Sequence, residues 1–391
     1  MTAPQESDGI VDVEISAVAH GGDGVGRINA LTCFVPGALP GETVRARIFR
    51  RAKNAVWART LEVISPSPHR LSNAFCSGRS CAAACAWHDF AYPAQGEWKT
   101  RIVAESMRRI GGVAAEVVFI EEPALRLGYR TRAVFHGDGA CLGYFAPRTH
   151  DVIPLPQCPL NHPRLNTALE ALRPMGLRGN IHVTVNPEGD EILARLRRVT
   201  PAVKAAFPLA NAFDSAECSR FIFDGAPIVN GAFSQASLLL NRMLRREVDI
   251  RVGETETLLD LYCGNGNLSL HHAPNCRVVG VDNAKAAIAA ANQIVPGAYR
   301  IGNERVMAAL IQEQSWDVIL LDPPRTGAKA LAAPLAEAKA GRIVYVSCNP
   351  ATFARDARGL MEGGWRLTSA AAIDMFPHTP HVETIGVFVR T

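Results

Sequence analysis

Apolar and polar positions change rhythm several times along the chain. Residues 10–65 alternate in short β-like runs, such as Val11-Asp12-Val13-Glu14-Ile15, separated by glycine turns such as His20-Gly21-Gly22-Asp23-Gly24. Period-two alternation punctuated by glycine predicts a small β-barrel. Residues 66–100 read as loop, a helical pattern lies near 96–111, and further β-like segments run from about 129 to 200. Between 202 and 225 the pattern favours no element. From Thr257 onward apolar strands alternate with helical stretches, the order of a parallel α/β sheet. TLLDLYCGNGNLSL (257–270) predicts a strand, a turn at Gly264 and Gly266, and a helix. Ile343-Val344-Tyr345-Val346 predicts a buried strand, after which Asn349 is placed to cap a helix and Pro350 to occupy its first turn.

At 391 residues the chain is expected to form more than one core. We place an N-terminal barrel at 1–65, a central α+β domain at 66–225 and a doubly wound α/β domain at 226–391. The N-terminus MTAPQESDGI is polar, and no segment is apolar for the length of a membrane span, so a cytoplasmic protein is expected. Ten cysteines in such a compartment suggest metal ligands or a catalytic thiol rather than a disulfide framework. A net charge of +4 says little by itself, but VRARIFRRAKNAVWAR (44–59) carries Arg45, Arg47, Arg50, Arg51, Lys53 and Arg59 with no acid among them. Cations interleaved with Phe49 and Trp57 suit a nucleic-acid strand, and a solvated charged face fits as well.

Candidate chemistry sits where the predicted strands end. Ligands of open α/β sheets collect outside the carboxyl ends of the strands. Cys348, between Val346 and the predicted helix start, is therefore placed as a nucleophile, and a helix N-terminus favours its thiolate; an inert buried cysteine is the alternative. A dinucleotide fingerprint needs a third glycine where position 269 is Ser, which weakens a dehydrogenase reading. Asp282, ending CRVVGVDN, is placed to accept hydrogen bonds from ribose hydroxyls, and Asp260 lies where a cationic methionine moiety would sit. In WDVILLDPPRTG, Asp322-Pro323-Pro324 resembles the acidic-Pro-Pro turn of methyltransferases that act on nucleic-acid bases. Amine methylators follow the prolines with an aromatic; here Arg325 stands there, and Cys348 is the one thiol that follows a central strand in this region. A pyrimidine C5 becomes nucleophilic once a thiolate adds at C6, after which a base must remove the C5 proton. Glu383, heading an apolar strand in FPHTPHVETIGVF, is the candidate base, with a surface strand-end glutamate as the alternative.

Taken together, GAFSQAS, LDLYCGNGN, LLDPPRTG, VSCNPATFARD and DMFPHTPHVET resemble the RNA uracil-C5 methyltransferase family of bacterial rRNA and tRNA enzymes. The resemblance implies a Rossmann-like class I methyltransferase domain using S-adenosylmethionine. It implies cofactor contacts at Gln235, Tyr262, Asn267, Asp282, Asn303 and Asp322, the nucleophile at Cys348 and the base at Glu383. Tyr262 is commonly Phe in the family and Asp282 commonly Glu. The barrel is similar to the TRAM domain with which many members hold RNA. Relatives of this architecture bind a [4Fe-4S] cluster through four cysteines, which here implies Cys76, Cys81, Cys85 and Cys158. This chain reads C-x4-C-x3-C where the family usually shows C-x5-C-x2-C, and a four-cysteine zinc site is chemically open. The expected activity is 5-methyluridine formation in structured RNA, with 23S rRNA as the expected partner, by a monomer. The tRNA enzymes, which generally lack the barrel and the cysteines, and a non-catalytic RNA-binding or folding factor are the alternatives.

Overall fold

The computed structural model describes residues 9–76, 85–146 and 149–390, and the chain divides into two compact units, 1–102 with 378–381 and 103–377 with 382–391. In the first unit, β1 (Ile10–Val18), β2 (Gly24–Ile28), β3 (Leu31–Val35), β4 (Thr43–Arg51) and β5 (Ala55–Ser65) close a barrel in the order β1-β2-β3-β5-β4. Alternation drives the closure: Val13, Ile15, Val35, Val44, Ile48 and Val56 point inward and form one core. Gly26 is required where β1 and β2 meet, because a Cβ there would lie 2.3 Å from the Glu14 carbonyl oxygen.

A buried carboxylate ties this unit's connections together. Glu42 is fully buried and accepts hydrogen bonds from the Leu39 backbone N–H at 2.8 Å and from Arg70 Nε at 2.5 Å. Arg70 also pairs with Asp89 and donates to the Gly37 carbonyl at 2.8 Å. Burial works against the Glu42 charge, but the hydrogen bonds from Arg70 and Leu39 outweigh it and hold the carboxyl below its ordinary range.

The second unit begins in the chain at the end of helix α1 (Tyr92–Ser106), which closes in a π-turn at Met107–Gly111. Strand β6 (Val117–Ile120) precedes an antiparallel sheet of β7 (Arg132–Asp138), β8 (Leu142–Phe145), β9 (Val152–Pro154), β10 (Arg178–Val185) and β11 (Ile192–Leu196). Helix α2 (Pro163–Leu172) joins β9 to β10 and packs on β10; α3 (Pro201–Ala206) follows β11. The short β12 (Asn211–Ala212) completes the sheet in the order β12-β11-β10-β7-β8-β9. The stretch 202–225, indeterminate in sequence, thus holds the end of α3, β12 and β13 (Arg220–Phe223), which pairs with β14 (Ala226–Val229).

The doubly wound part comprises α4 (Leu238–Val252), β15 (Thr257–Leu261), β16 (Arg277–Asp282), α5 (Lys285–Ile294), β17 (Tyr299–Ile301), α6 (Glu304–Glu313), β18 (Trp316–Leu321), α7 (Ala332–Ala336), β19 (Ala340–Ser347), α8 (Pro350–Glu362), β20 (Trp365–Ile373) and β21 (Glu383–Arg390). Its sheet runs β17-β16-β15-β18-β19-β21-β20-β6. Only β21 runs against its neighbours, and β6, from before the central sheet, adds parallel to β20. Leu258, Leu259, Ile319, Leu320, Val344 and Tyr345 are 0% exposed, as expected of strands covered on both faces. Order reverses between β15 and β18, which is the switch point where such sheets bind ligands. One expectation fails: Gly266 is followed by turns and a 3-10 segment, Leu270–His272, instead of an α-helix. Pro274 and the start of β16 at Arg277 leave too little chain for one. No helix of the described residues is long and apolar enough to cross a membrane.

The carboxylate at the base of the barrel gives a direct test. Glu42→Ala leaves the Leu39 N–H without its acceptor and removes the buried one of Arg70's two carboxylate partners, and should destabilise the protein by about 3 kcal/mol, as breaking a buried ion pair does. The expected readout is a lower urea midpoint for the barrel transition. Because the folded carboxyl titrates below its unfolded value, its stabilisation is complete above the unfolded pKa and is lost as pH falls through the folded one. The mutant should therefore lose the acid-side decline attributable to this group.

Candidate active site

The carboxyl edge of the doubly wound sheet collects the predicted site residues. After β15 the chain turns sharply: Tyr262 and Gly266 adopt φ of 59° and 76°. A Cβ at Gly266 would lie 2.7 Å from Leu270 Cγ and 2.9 Å from the Tyr299 ring, so glycine is needed for the approach as well as the angle. The Gly264 N–H donates to Asp282 Oδ2 at 3.0 Å, while Asp282 Oδ1 accepts from the Ala284 N–H at 2.8 Å. A carboxylate retains acceptor capacity beyond these two bonds. Asn267 and Asn241 of α4 exchange side-chain hydrogen bonds at 2.7 and 2.9 Å, so the Asn267 carboxamide is committed to holding the turn against the helix. Gly302 N–H bonds to the Asp282 carbonyl at 2.9 Å, which brings Asn303, the exposed N-cap of α6, to the same edge. Gln235 is buried just ahead of α4, whose N-cap Ser237 accepts from the Leu240 N–H at 2.9 Å.

Electrostatically this edge is built to receive a cation. Asp260 is 1% exposed, and its Oδ2 is buried with no hydrogen-bond partner. Burial, followed by Asp322 and Asp282, pushes its carboxyl up to about 8 against the opposing bond from Ser269. Burial likewise raises Asp322 to about 7. An orphaned, reluctantly ionised carboxyl at the switch point fits a ligand bearing positive charge and N–H donors, as the sulfonium amino acid S-adenosylmethionine does.

Register brings the thiol and the second acid together. β19 and β21 are antiparallel with Ser347 opposite Thr384, so Cys348, one step beyond, stands across from Glu383, one step before. Asn349 caps α8, accepting from the Ala351 N–H at 3.1 Å, with Pro350 in the first turn, so the predicted strand-to-helix turn is present. The expected helix-terminal activation is overridden: burial, then Glu383 and Asp322, push the Cys348 thiol up to about 11, with Arg325 opposing. Glu383, 3% exposed, is itself driven well above the carboxylate range by burial and Asp322, again with Arg325 opposing. These mutual effects place Asp322, Arg325, Cys348 and Glu383 within one electrostatic neighbourhood.

The Arg325 loop is fixed from α8. Asn349 Nδ2 donates to the Arg325 carbonyl at 3.0 Å and Arg355 to the Thr326 carbonyl at 2.9 Å. Asp356 Oδ2 accepts from the Ala328 N–H at 2.8 Å and from the Tyr345 hydroxyl at 2.7 Å. The cap that starts the helix after Cys348 thus also sets the loop that carries its neighbouring cation.

Some features were not read from the sequence. Arg132, on β7, donates to the Ser234 carbonyl at 2.9 Å and has no carboxylate partner among the described residues; burial lowers its pKa. Its exposed ring neighbour Phe233 lies 5.8 Å away. His271 Nε2 and His272 Nε2 lie 2.6 and 3.1 Å from Asp249 Oδ1. These three donors, within 4.8 Å of one another, are of the N/O type that divalent transition ions accept. Here they are joined by direct hydrogen bonds that pin the 3-10 segment to α4. In the barrel, Arg45 is paired with Asp12 and Glu62, at 3.0 and 3.1 Å, so acids from β1 and β5 offset part of the basic stretch. Arg50 lies 4.3 Å over Trp57, which stacks on Phe34.

Of the four candidate cluster cysteines, Cys81 lies outside the described residues; Cys85 is buried in the first unit, Cys158 is buried in the second, and Cys76 is partly exposed. Asn166 clamps the Cys158 backbone through two 3.0 Å bonds, one to its N–H and one to its carbonyl. Burial opposes the charge of the neighbouring Arg130, yet Tyr129, Tyr144 and Cys158 keep it protonated. A fixed thiol beside a buried guanidinium suits a thiolate ligand.

Comparison with known proteins identifies the family. A family profile described as tRNA (uracil-5-)-methyltransferase matches residues 226–391, and a TRAM-domain profile matches 9–60. The 23S rRNA (uracil(1939)-C(5))-methyltransferase RlmD of Alkalilimnicola ehrlichii is 31% identical, over 97% of this chain and 96% of its own. The enzyme of the same name from Nitrosospira multiformis is 30% identical, over 100% and 99%. Among solved structures, the tRNA (uracil-54, C5)-methyltransferase of Pyrococcus abyssi in complex with S-adenosyl-L-homocysteine shares the fold, with a TM-score of 0.75 and 24% identity over 97% of this chain and 99% of that one. The chain belongs to the RNA uracil-C5 methyltransferases, enzymes that depend on S-adenosylmethionine.

The charge balance around the thiol is measurable without substrate. Asp322→Asn should lower the midpoint of Cys348 alkylation from about 11, because a repelling charge is removed; Arg325→Ala should raise it, because the opposing cation is lost. The rate of iodoacetamide labelling of Cys348 against pH, followed by peptide mass spectrometry, reads both shifts. Equal midpoints in both variants would separate Cys348 from these charges.

Proposed function

We propose that this chain methylates C5 of a uridine in 23S rRNA through a covalent bond between Cys348 and C6 of the base. The observation that carries this reading is the β19–β21 register, which sets the Cys348 thiol, at the carboxyl end of β19, opposite the buried carboxyl of Glu383. In the proposed sequence the Cys348 thiolate adds to C6, and electron density moves to C5. S-adenosylmethionine would supply the methyl group that C5 takes, the electron pair of the broken S–CH3 bond staying on its sulfur. Glu383 then accepts the C5 proton, the C5–C6 double bond re-forms, and the Cys348 sulfur departs with the electrons of the C6–S bond. The target base must leave its stack to reach Cys348.

Gln235, Tyr262, Asn267, Asp282, Asn303 and Asp322 are proposed to line the cofactor site, with Asp282 taking ribose hydroxyls. The unpartnered Asp260 Oδ2 supports a cationic amino-acid moiety beside them. The bonded carboxamide of Asn267 points to a role through the backbone of its turn. The rRNA assignment rests on 30–31% identity along nearly the whole length of enzymes named for 23S rRNA. The barrel does not decide it, since a solved tRNA enzyme shares the fold over 97% of this chain. Cys76, Cys81, Cys85 and Cys158 are proposed to hold a [4Fe-4S] cluster, a structural group here because methyl transfer needs no electron. Every proposed site residue comes from this one chain, in keeping with a monomeric enzyme acting on RNA in the cytoplasm.

Glu383→Gln keeps the side chain's shape but cannot take a proton. The variant should accumulate a denaturation-resistant protein–RNA adduct carrying the added methyl group, with release of 5-methyluridine falling at least about a hundredfold, the usual reach of general-base catalysis. Cys348→Ala should form neither adduct nor product while still binding cofactor. Wild-type release from Glu383→Gln would eliminate the base, and turnover by Cys348→Ala would eliminate the covalent route. Assaying transcripts of 23S rRNA and tRNA in parallel decides the substrate.

The cluster is tested on anaerobically purified protein. About four irons and four sulfides per chain, broad visible absorbance and bleaching on replacement of Cys158 are expected. One zinc per chain and no iron would replace the assignment with a four-thiolate zinc site.

A further inference from the structure

The central antiparallel sheet has one face covered and one face open. Ala133 and Phe135 of β7 and Ile181 and Val183 of β10 point to the covered side and are at most 6% exposed. The alternate positions face the other way. On β7 these include Arg132, Val134, His136 and Asp138; on β10 they include Arg178, Asn180 and His182, set opposite Asp138, His136 and Val134 by the register. His136 is bonded to Asn180 through Nδ1 and Oδ1 at 3.0 Å, which fixes its ring. Across on β8, the residue opposite His136 is Gly143, with no side chain, and Phe145 two residues on lies against the imidazole. The two rings stack with centroids 3.6 Å apart and planes within 11°. Phe213 meets His182 edge-on at 5.4 Å and is itself 39% exposed.

Arginines outnumber acids on the same face: Arg132, Arg178 and Arg195 stand on it with Asp138, which the register sets opposite Arg178 at the end of β7. Burial, then Arg132, Arg195 and His136, all lower the His182 pKa, and no carboxylate contributes in the other direction. Arg195 is held over the sheet by the Asn230 and Phe213 carbonyls at 3.1 and 2.7 Å. The face also runs into the catalytic part of the unit. The Thr131 and Arg132 N–H groups both donate to the Ala236 carbonyl, at 3.0 and 3.1 Å, next to Gln235.

We propose that this open face is a stacking platform for a single-stranded segment of the RNA substrate, with one unstacked base lying on the Phe145–His136 pair. The inference rests on the RNA-methyltransferase reading above and adds to it how the strand beside the target uridine is held. A paired helix presents base edges and phosphates, whereas a flat ring pair on a cationic sheet face matches the exposed face of an unpaired base and its adjacent phosphate. The requirement that the target be unstacked makes such a neighbour available. Phe145 and His136 act here as binding residues and not in the chemistry.

The test uses full-length protein and a 23S rRNA transcript that the wild type methylates, with 2-aminopurine placed in turn at unpaired positions flanking the target. Wild-type binding should quench the fluorescence at one of these positions. Phe145→Ala should abolish that quench and raise the RNA Kd about tenfold, the scale of one lost base–aromatic stack, and Phe145→Tyr should restore both. Turnover at saturating RNA and cofactor affinity should stay at wild-type values, and the salt dependence of binding should keep its slope, since stacking releases no counterions. In case the variants fold poorly, photocrosslinking of wild-type protein to RNA carrying 5-iodouridine at the same flanking positions should label the 132–145 peptide region. Unchanged quenching and affinity in Phe145→Ala, or crosslinks confined to other segments, would overturn the platform while leaving methylation in place. Failure of the wild type to methylate any RNA would instead remove the functional reading on which it rests.

Discussion

The site depends on β21 returning antiparallel between β19 and β20. In an all-parallel sheet every strand delivers its carboxyl end to the ligand edge, so only residues that follow strands reach it. The reversed strand delivers its first residue there, and this is how Glu383 arrives opposite Cys348 with no loop of its own to be ordered. Both flanking residues of the pair, Ser347 and Thr384, are at most 1% exposed, so the register that aligns thiol and carboxyl is locked by burial as well as by the ladder. A slip by one residue would turn Thr384 and its neighbours to the opposite faces, which the apolar core under β19 and β21 does not permit.

That geometry crowds acids together. Asp260, Asp322 and Glu383 are all pushed upward, mainly by burial, and Arg325 is the cation that acts against the shift of Glu383 and of Cys348. The same burial and neighbouring carboxyls that raise these acids also push the Cys348 thiol up to about 11. An incoming sulfonium is a positive charge placed among these acids. A cation there acts in the direction Arg325 does, favouring the ionised forms of the acids and of the Cys348 thiol, so the proposed cofactor and the proposed nucleophile would be linked through charge.

Much of this was legible in the sequence because it is written in local pattern. Alternation marked the barrel and its inward Val44, Ala46 and Ile48; continuous apolar runs marked the buried strands; Asn349-Pro350 marked the helix start. Cys348 and Glu383 stood out because strand ends concentrate chemistry. What escaped depends on distant partners. The β6 strand joins β20 some 250 positions later in the chain, which no local period reveals. The helix expected after Gly266 is absent because the chain between His272 and Arg277 is too short and contains Pro274. The direction of the Cys348 shift was misread because helix-terminal stabilisation is visible in sequence, whereas burial and the carboxyls of Asp322 and Glu383 appear only in three dimensions.

The basic stretch of the barrel shows how partners alter a reading of charge. Arg45 looked unopposed along its own strand, but the register sets Asp12 and Glu62 beside it from the strands on either side. Its contribution to binding a polyanion is reduced by those two acids, whereas Arg50, resting on Trp57, combines a cation with an aromatic face. The central sheet reaches the same combination by a different route, with the rings on the strands and the guanidiniums held over them by backbone carbonyls. Phosphate contacts weaken steeply with salt, while base stacking does not. The proposed mechanism, which extrudes one base, would draw on both: cations to bring the strand in, and rings to bind the faces that extrusion exposes.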